Sequence, residues 1–341
     1  MTTPALETLA QRVLSGDRRA LARAITLIES RRSDHQEQAE RLLERLLPAT
    51  GEAVRLGITG TPGAGKSTFI EALGCHVIEQ GHRIAVLAVD PSSRRSGGAI
   101  LGDKTRMQRL AQAPEAFIRP SPAGTTLGGV TRRTREAGLA CQAAGFDVIV
   151  VETVGVGQSE DAVADMVDCF LLLLAPGGGD ELQGIKRGIV ELADLVVINK
   201  ADGELLAAAR RAEVDYRAAL QLLRPPTPAW TPEVLACSAL HERGIDEIWR
   251  AVRRQHRALQ ASGELAAKRA RQTRSWLRSE VQAALADALR ADPDTAELLS
   301  ELEHDVGAGR LLPPRAAREL IARFRQGSRL PDPSGSSAAR R

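Results

Sequence analysis

Residues 60–68 constrain the fold of this chain more than any other segment. They fit the pattern G-x-x-x-x-G-K-[ST] and stand between the apolar run Val54–Thr59 and the helical run Thr68–Glu79. A strand, a glycine-rich loop and a helix in this order form a phosphate-binding loop, because backbone N–H groups and the positive end of the helix dipole then face the phosphates. We expect Lys66 to reach the β- and γ-phosphates and the Ser67 hydroxyl to ligate Mg²⁺. The predicted phosphate-binding residues are Gly60, Thr61, Pro62, Gly63, Ala64, Gly65, Lys66, Ser67 and Thr68.

Short apolar runs alternate with helical segments between residues 51 and 258. Most of these runs lack the every-second-residue alternation of half-exposed strands, so we expect them to be buried on both faces. Buried strands that alternate with helices predict an α/β fold with a doubly wound, mainly parallel sheet. The six predicted strands are Val54–Thr59, Ile84–Val89, Val148–Val151, Phe170–Leu174, Leu195–Ile198 and Val234–Ala236.

The two ends of the chain have a helical pattern instead. Leu21, Ile25 and Ile28 stand at i, i+4 and i+7, and Pro48 stops the leucine-rich run that follows. Beyond residue 258 the sequence is rich in Ala, Leu and Arg and has no strand-like run. The predicted parts are therefore an N-terminal helical arm (1–50), a P-loop domain (51–258), a C-terminal helical segment (259–328) and a flexible tail (329–341).

Composition excludes several classes of function. Lys and Arg number 46 against 43 Asp and Glu, a net charge of +3, and aromatic residues make up 3% of the chain. Nucleic-acid binders have a basic excess and stacking aromatics, so we expect no nucleic-acid partner. The longest apolar stretch, Cys169–Pro176, is too short to span a membrane, and the first residues do not form a signal peptide. We therefore expect a cytoplasmic protein without a membrane partner, and four scattered cysteines argue against a zinc site or disulfide framework.

Residues 199–202, Asn-Lys-Ala-Asp, match the N-K-x-D pattern that recognises guanine and follow an apolar run. The Asp202 carboxylate accepts two hydrogen bonds from the guanine edge, whereas adenine offers no such pair of donors, so the pattern predicts GTP and GDP rather than ATP. We expect Asn199 to brace the loop and the Lys200 stem to cover the base. A second loop, after the last predicted strand, looks like the one whose backbone N–H groups close over guanine. The predicted guanine-site residues are Asn199, Lys200, Asp202, Ser238, Ala239 and Leu240.

Two acidic residues come directly after predicted strands, Asp90 after the second and Glu152 after the third. The carboxyl ends of parallel strands meet at one edge of a sheet, so we expect these side chains, with Ser67, to hold Mg²⁺ and its waters. The N–H of Gly155 could sense the γ-phosphate. The glycine-rich stretches 96–107 and 175–186 have the composition of nucleotide-sensitive switches.

Taken in order, these motifs resemble the methylmalonyl-CoA mutase-associated GTPases, the MeaB/ArgK family. Its branch of the P-loop GTPases also contains nickel-insertion and signal-recognition GTPases. The string 152–160, ETVGVGQSE, carries more of the resemblance than the phosphate-binding loop does. The chain departs from the family pattern at residues 123–126, before Leu127-Gly-Gly129. The other segments that carry the resemblance are 60–68, 90–93, 101–107, 119–122, 127–129, 179–180, Lys186 and 199–202.

The resemblance implies a homodimeric GTPase that acts as a chaperone for an adenosylcobalamin-dependent acyl-CoA mutase and gates the loading and protection of its cofactor by GTP binding and hydrolysis. It also implies that residues 259–328 supply the dimer contact. The client would be methylmalonyl-, isobutyryl- or ethylmalonyl-CoA mutase. The switch residues that carry over from the family are Asp90, Asp103, Glu152, Asp180 and Lys186.

We expect Mg²⁺-dependent GTP hydrolysis in which Lys66 and Mg²⁺ neutralise phosphate charge and Glu152 or Asp90 orients water. Lys186 is the candidate for charge compensation once a partner is bound, and no single general base can be identified. A GTP-dependent kinase, a nickel metallochaperone and a regulatory module without turnover are the alternatives. A nickel site needs a Cys/His cluster near the N-terminus, where the sequence has His35 alone.

Overall fold

The structure is a computed structural model that describes residues 3–30, 32–89, 107–120, 127–153, 159–176, 187–223, 225 and 227–327. The chain divides into two compact units, Met1–Thr273 and Arg274–Arg341. The first unit contains a sheet of seven strands within the described residues. The strands are β1 (Val54–Gly60), β2 (Ile84–Val89), β3 (Ala116–Pro120), β4 (Val148–Thr153), β5 (Cys169–Leu174), β6 (Leu195–Ile198) and β7 (Glu233–Ala236).

Helices precede, connect and follow these strands. The first unit begins with α1 (Thr3–Leu14), α2 (Arg18–Ile28) and α3 (Ser33–Leu46), after which a 3₁₀ turn, Leu47–Ala49, leads to the sheet. The helices between strands are α4 (Lys66–Glu79), α5 (Gln108–Gln112), α6 (Leu127–Ala143), α7 (Ser159–Ala164), α8 (Arg187–Leu192) and α9 (Leu206–Gln221), the last preceded by a 3₁₀ turn at Gly203–Leu205. The chain continues with α10 (Ile245–Ala261), α11 (Glu264–Ala291), α12 (Pro293–Gly307) and α13 (Pro313–Gly327).

The sheet has the strand order β3-β2-β4-β1-β5-β6-β7, and every neighbouring pair is parallel. The predicted α/β fold with a doubly wound parallel sheet is confirmed. From β1 the chain runs outward to β2 and β3, returns to place β4 beside β1, and then crosses to β5, β6 and β7 on the other side. β1 therefore lies at the switch point, flanked by β4 and β5. In open parallel sheets, ligands bind at the carboxyl ends of the strands at such a point.

Both faces of the sheet are buried, which explains why the strand sequences are almost continuously apolar. On one face, Leu56 and Ile58 of β1 belong to a core with Phe69 and Leu73 of α4 and Trp249 of α10. The opposite face is covered by two further clusters. One joins β2, β3 and β4 to α6 and the N-terminal helices, and the other joins β5 and β6 to α7, α8 and α9.

The N-terminal helices are part of this second layer. Leu21, Ile25 and Ile28 of α2 are buried, as their spacing predicts. The helix starts at an N-cap, where the Asp17 side chain accepts hydrogen bonds from the N–H groups of Arg19 (2.8 Å) and Ala20 (3.0 Å). The residues at the predicted helical spacing therefore form the face of α2 that packs into the core beside the sheet.

The edge strand β3 is absent from the sequence prediction. It has five residues and ends in Arg119-Pro120, which has the composition of a turn. Its place in the sheet depends on long-range packing, since Phe117 lies 6.0 Å from Phe146, centroid to centroid, and Ile118 joins the core under α4.

The described residues of the C-terminal unit form helices joined by short turns. Within it, α12 starts at an N-cap in which the Asp292 side chain accepts a hydrogen bond from the N–H of Thr295 at 2.9 Å, and Arg323 of α13 pairs with Asp294 at 3.1 Å. Across the described residues of both units, none of the helices is long and apolar enough to cross a lipid bilayer.

Candidate nucleotide-binding site

The predicted phosphate-binding loop lies at the carboxyl end of β1, in the middle of the sheet. β1 ends at Gly60 and α4 begins at Lys66, so the loop joins a buried strand to the N-terminus of a 14-residue helix. Gly63 and Gly65 have left-handed backbone conformations, with φ of 83° and 87°. A glycine-rich turn that leads into a helix N-terminus offers free N–H groups and a favourable dipole to an anion.

Packing also requires glycine in this loop. A Cβ at Gly60 would lie 2.1 Å from the carbonyl oxygen of Leu173 on β5, and a Cβ at Gly65 would lie 2.7 Å from Nδ2 of Asn199. Both distances are shorter than non-bonded atoms allow. Strand β5 and the segment after β6 therefore press directly on the loop backbone and fix its path.

The Lys66 ammonium lies across the loop. Its Nζ donates hydrogen bonds to the carbonyl of Gly60 at 2.7 Å and to the carbonyl of Thr61 at 3.3 Å. Burial lowers the pKa of Lys66, while the negative charges of Glu152 and Glu160 act in the opposite direction. Lys66 therefore forms hydrogen bonds with the loop carbonyls and is attracted electrostatically by two carboxylates.

Glu152 lies inside β4 rather than after it, because the strand continues to Thr153. It is in register with Ile58 of β1 and with Ala88 of β2, so its backbone is held between the two strands that border the site. Its side chain is 4% exposed. A carboxylate at this depth needs a cation to compensate it, and the Lys66 ammonium supplies positive charge.

Glu160, at the start of α7, is a second buried carboxylate, 1% exposed, that acts on Lys66. Glu160 is not among the site residues predicted from the sequence. An acidic residue in the first turn of a helix is usually a solvent-facing partner of the helix dipole, and that pattern concealed its burial. The signal that could have revealed it is its place at the end of the family-like string 152–160.

The oxygen donors for a divalent cation are a hydroxyl and a carboxylate. Ser67 stands in the first turn of α4, and Glu152 belongs to a strand adjacent to β1. Hydroxyl and carboxylate oxygens are the ligands Mg²⁺ takes together with waters and phosphates, so these residues fit the predicted ion. In the described ranges, no three His, Cys, Asp or Glu side chains are grouped to hold a metal by themselves.

Asn199 joins the three loops of the site. Its side-chain Nδ2 donates to the carbonyl of Ala64 in the phosphate-binding loop at 2.8 Å. Its Oδ1 accepts from the N–H of Ala239 at 3.0 Å and from the Cys237 thiol at 3.5 Å. The bracing position predicted for Asn199 matches this buried bridge, although its role in nucleotide binding remains a prediction.

The carboxylate of Asp202, which is predicted to recognise guanine, is oriented by a neighbouring hydroxyl. Ser238 Oγ donates a hydrogen bond to Oδ2 of Asp202 and also accepts the N–H of His241 at 3.3 Å. Lys200, between Asn199 and Asp202, has a left-handed backbone with φ of 58°. Leu240, 73% exposed, lies at the surface of the second loop. The two predicted guanine segments are thus in direct contact.

Five predicted site residues lie outside the residues that the structure describes. They are Asp90, Asp103, Gly155, Asp180 and Lys186. The described residues bring together the phosphate-binding loop, Glu152, Asn199, Asp202 and the loop 238–240.

The chain is similar to a described protein family and to several known proteins. The profile of a family described as methylmalonyl Co-A mutase-associated GTPase MeaB matches residues 21–294. The chain is 53% identical over 284 residues to GTPase ArgK of Escherichia coli, covering 83% of this chain and 86% of that protein. It is 50% identical over 323 residues to the mitochondrial methylmalonic aciduria type A homolog of Mus musculus, covering 92% and 78%. Among solved structures, the crystal structure of LAO/AO transport system kinase matches with a TM-score of 0.76 and 42% identity, covering 95% of this chain and 99% of that one.

Proposed function

This chain belongs to the family of methylmalonyl-CoA mutase-associated GTPases, and we propose that it uses GTP binding and hydrolysis to gate cofactor loading and protection in an adenosylcobalamin-dependent acyl-CoA mutase. The chain is a GTPase of the kind its relatives are named for. Four points go beyond the family assignment and are proposed here. They are the catalytic and binding residues, the Mg²⁺ ion, the client mutase, and a homodimer formed through residues 259–328.

The observation that carries the proposed nucleotide site is the bridge that Asn199 makes between Ala64 and Ala239. It holds the phosphate end and the base end of the site at a fixed separation. Asp202, with Ser238 bound to one oxygen, then accepts the two guanine donors. Adenine leaves that carboxylate unpaired, which supports selection of GTP over ATP.

Hydrolysis would rest on positioning and charge compensation. Lys66 would exchange the carbonyls of Gly60 and Thr61 for phosphate oxygens, and the loop N–H groups would hold the remaining oxygens. Ser67 and Glu152, with Asp90, would hold Mg²⁺. The ion, when bound, neutralises charge on the β- and γ-phosphates. Glu152, buried beside Lys66, would orient water at this edge.

Four further residues complete the proposal, three of them from the family resemblance. They act where nucleotide state is communicated to the partner: Asp103, Asp180 and Lys186 as switch residues, and the Gly155 N–H as the sensor of the γ-phosphate. The family description itself connects these GTPases to methylmalonyl-CoA mutase, and this supports that mutase as the client.

The test is phosphate release from GTP and from ATP, with Mg²⁺ or with a chelator, in the presence and absence of purified methylmalonyl-CoA mutase. We expect a preference for GTP of at least about a thousandfold, loss of turnover on chelation, and faster release with the mutase. Preference for ATP would contradict the role of Asp202. An unchanged rate with the mutase would contradict the proposed client.

The same assay separates hydrolysis from phosphoryl transfer, which is worth measuring because one related structure is named a transport system kinase. A GTPase releases one inorganic phosphate for each GDP formed. A kinase would form GDP without an equal amount of free phosphate, and that result would replace the proposed hydrolysis.

A further inference from the structure

An ion pair links the guanine loop, residues 238–244, to α5, the short helix that packs against α4. Arg109 of α5 pairs through its guanidinium with the Glu242 carboxylate in the guanine loop. The backbone N–H of the same Arg109 donates to Oε1 of Glu71 on α4 at 2.7 Å. One residue therefore contacts both α4 and the guanine loop.

The short helix α5 is firmly seated on α4. Leu110, next to Arg109, is fully buried, and α4 carries Gly74 opposite it. A Cβ at Gly74 would lie 2.7 Å from Cδ2 of Leu110, so the glycine allows the two helices to approach closely. Arg109 consequently extends from a helix that packing holds in place, and its guanidinium has a defined position beside the guanine loop.

The guanine loop needs such a support because its backbone is unusual. Glu242 has φ of 54°, a left-handed conformation that costs free energy for a residue with a side chain. The loop is closed below by a pair of hydrogen bonds, from the N–H of each of Ser238 and Arg243 to the carbonyl of the other, both at 3.0 Å. The Arg109–Glu242 pair lies outside that closure and is a side-chain contact of the loop tip.

We propose that Arg109 and Glu242 are positioning residues for guanine: their ion pair holds the loop 238–244 to α5, which is itself seated on α4, so that Ser238 and the N–H of Ala239 are in place when the base binds. The inference rests on the proposed function, in which this loop closes over the base. Neither residue is among the predicted nucleotide contacts, so we expect the pair to act on how long the nucleotide stays bound.

The expected effect is modest because the pair is exposed. The side chains of Arg109 and Glu242 are 61% and 50% exposed, and exposed ion pairs are weak. We expect Glu242→Gln to speed dissociation of a fluorescent GDP analogue about threefold and to raise the KM for GTP to a similar extent, with kcat at saturating GTP retained. Glutamine keeps the length of the side chain and removes the charge.

A double-variant cycle identifies the pair as the cause. If Arg109 and Glu242 act through each other, Arg109→Gln and the double variant dissociate at the rate of Glu242→Gln. The matched control is Asp305→Asn in the C-terminal unit, which breaks the Arg310–Asp305 pair of similar exposure, 55% and 46%. Its dissociation rate should equal that of the unmodified chain.

Several outcomes of this experiment would contradict the positioning role of the ion pair. Equal dissociation rates in Glu242→Gln and Asp305→Asn would overturn the positioning role, as would additive effects in the double variant. A fall in the unfolding temperature of nucleotide-free Glu242→Gln, without faster dissociation, would assign the pair to stability instead. If the unmodified chain does not bind the GDP analogue, the proposed function fails first, and the inference fails with it.

Discussion

The side-chain amide of Asn199 donates a hydrogen bond to the main-chain carbonyl of Ala64 at 2.8 Å, which ties the predicted guanine-recognition segment to the predicted phosphate-binding loop. Asn199 is 2% exposed and is the single asparagine of the 341-residue chain. Its Oδ1 accepts the N–H of Ala239 at the same time. The amide group, with one donor and one acceptor pointing to different loops, is what this position requires.

Asn199→Asp tests that requirement with almost no change in size. The carboxylate keeps an acceptor for Ala239 but turns an oxygen toward the Ala64 carbonyl, where no hydrogen bond can form. We expect the free energy of unfolding to fall by about 3 kcal/mol, because one buried hydrogen bond is replaced by two facing acceptors. Urea unfolding measures this. A midpoint equal to that of the unmodified chain would contradict the bridge.

Asp202→Asn should change the base that the site accepts. The carboxylate of Asp202 offers only acceptors, whereas the amide of asparagine offers a donor as well. Xanthine has a carbonyl where guanine has its amino group, so the variant should gain affinity for xanthosine triphosphate and lose at least about a thousandfold for GTP. Competition binding with both nucleotides checks this. Loss of GTP without any gain for the xanthine nucleotide would show general damage, and ATP serves as the negative control.

Gly60→Ala should destabilise the protein through a backbone clash. The new methyl group would lie 2.1 Å from the Leu173 carbonyl oxygen, and neither strand can move without breaking the β1–β5 ladder. We expect a loss of about 3 kcal/mol. Gly63→Ala is the matched control, since nothing lies within 4 Å of its Cβ position and only its φ of 83° opposes alanine, at about 1 kcal/mol. Thermal unfolding of both variants decides between clash and backbone strain.

The sequence predicted the parts of the site that depend on local pattern. Residues 60–66 form the turn from strand to helix, and Asn199 and Ser238 follow the neighbouring strands β6 and β7 because parallel strands bring their carboxyl ends to one edge. The sequence did not predict the strand order or the edge strand β3. Strand order and edge strands depend on which apolar surfaces pack together across long crossover connections. The residue pattern within one strand does not contain that information.

Local sequence patterns also did not predict the buried charged side chains outside the candidate site. Asp168 and Asp194 precede β5 and β6, and both are buried. Their partners, Arg269 and Lys268, are about a hundred and about seventy residues further along the chain, so no spacing rule connects them. One compositional signal exists: the chain has five lysines among 46 basic residues. Four of them stand in predicted nucleotide or switch segments, and the fifth is Lys268, whose Nζ donates to the Asp168 carbonyl at 2.7 Å.

Lys186→Ala is expected to separate basal from partner-stimulated hydrolysis. Lys186 is our candidate for compensating transition-state charge once the mutase binds, and cations in that role raise turnover strongly. The variant should bind GTP with the affinity of the unmodified chain and lose the acceleration that the mutase produces. Phosphate release with and without the mutase measures both rates. Equal acceleration in the two proteins would remove Lys186 from the mechanism.

The buried carboxylate of Asp168 anchors the start of α11 to the sheet. It accepts hydrogen bonds from Arg55 Nη2 at 2.7 Å and from Arg269 Nη2 at 2.6 Å. Burial by itself raises the pKa of Asp168, but the two guanidinium groups outweigh burial and lower the pKa to about 2. A folded-state pKa below the ordinary 3.8 means that the unfolded chain binds the proton more readily.

The sign of the pH dependence follows. Stability from Asp168, about 2 kcal/mol from the pKa difference, is fully present above about pH 5 and is lost as pH falls toward 2. Asp168→Asn should cost about 3–5 kcal/mol at pH 7, because Arg55 and Arg269 keep their charge without a carboxylate, and it should flatten the acid dependence. Urea unfolding at pH 7 and near pH 3 measures both effects. Asp34→Asn, which breaks the exposed Arg32–Asp34 pair, is the control and should leave the midpoint almost unchanged. An Asp168→Asn protein that unfolds like this control at pH 7 would show that the ion pairs add little to the anchoring of α11.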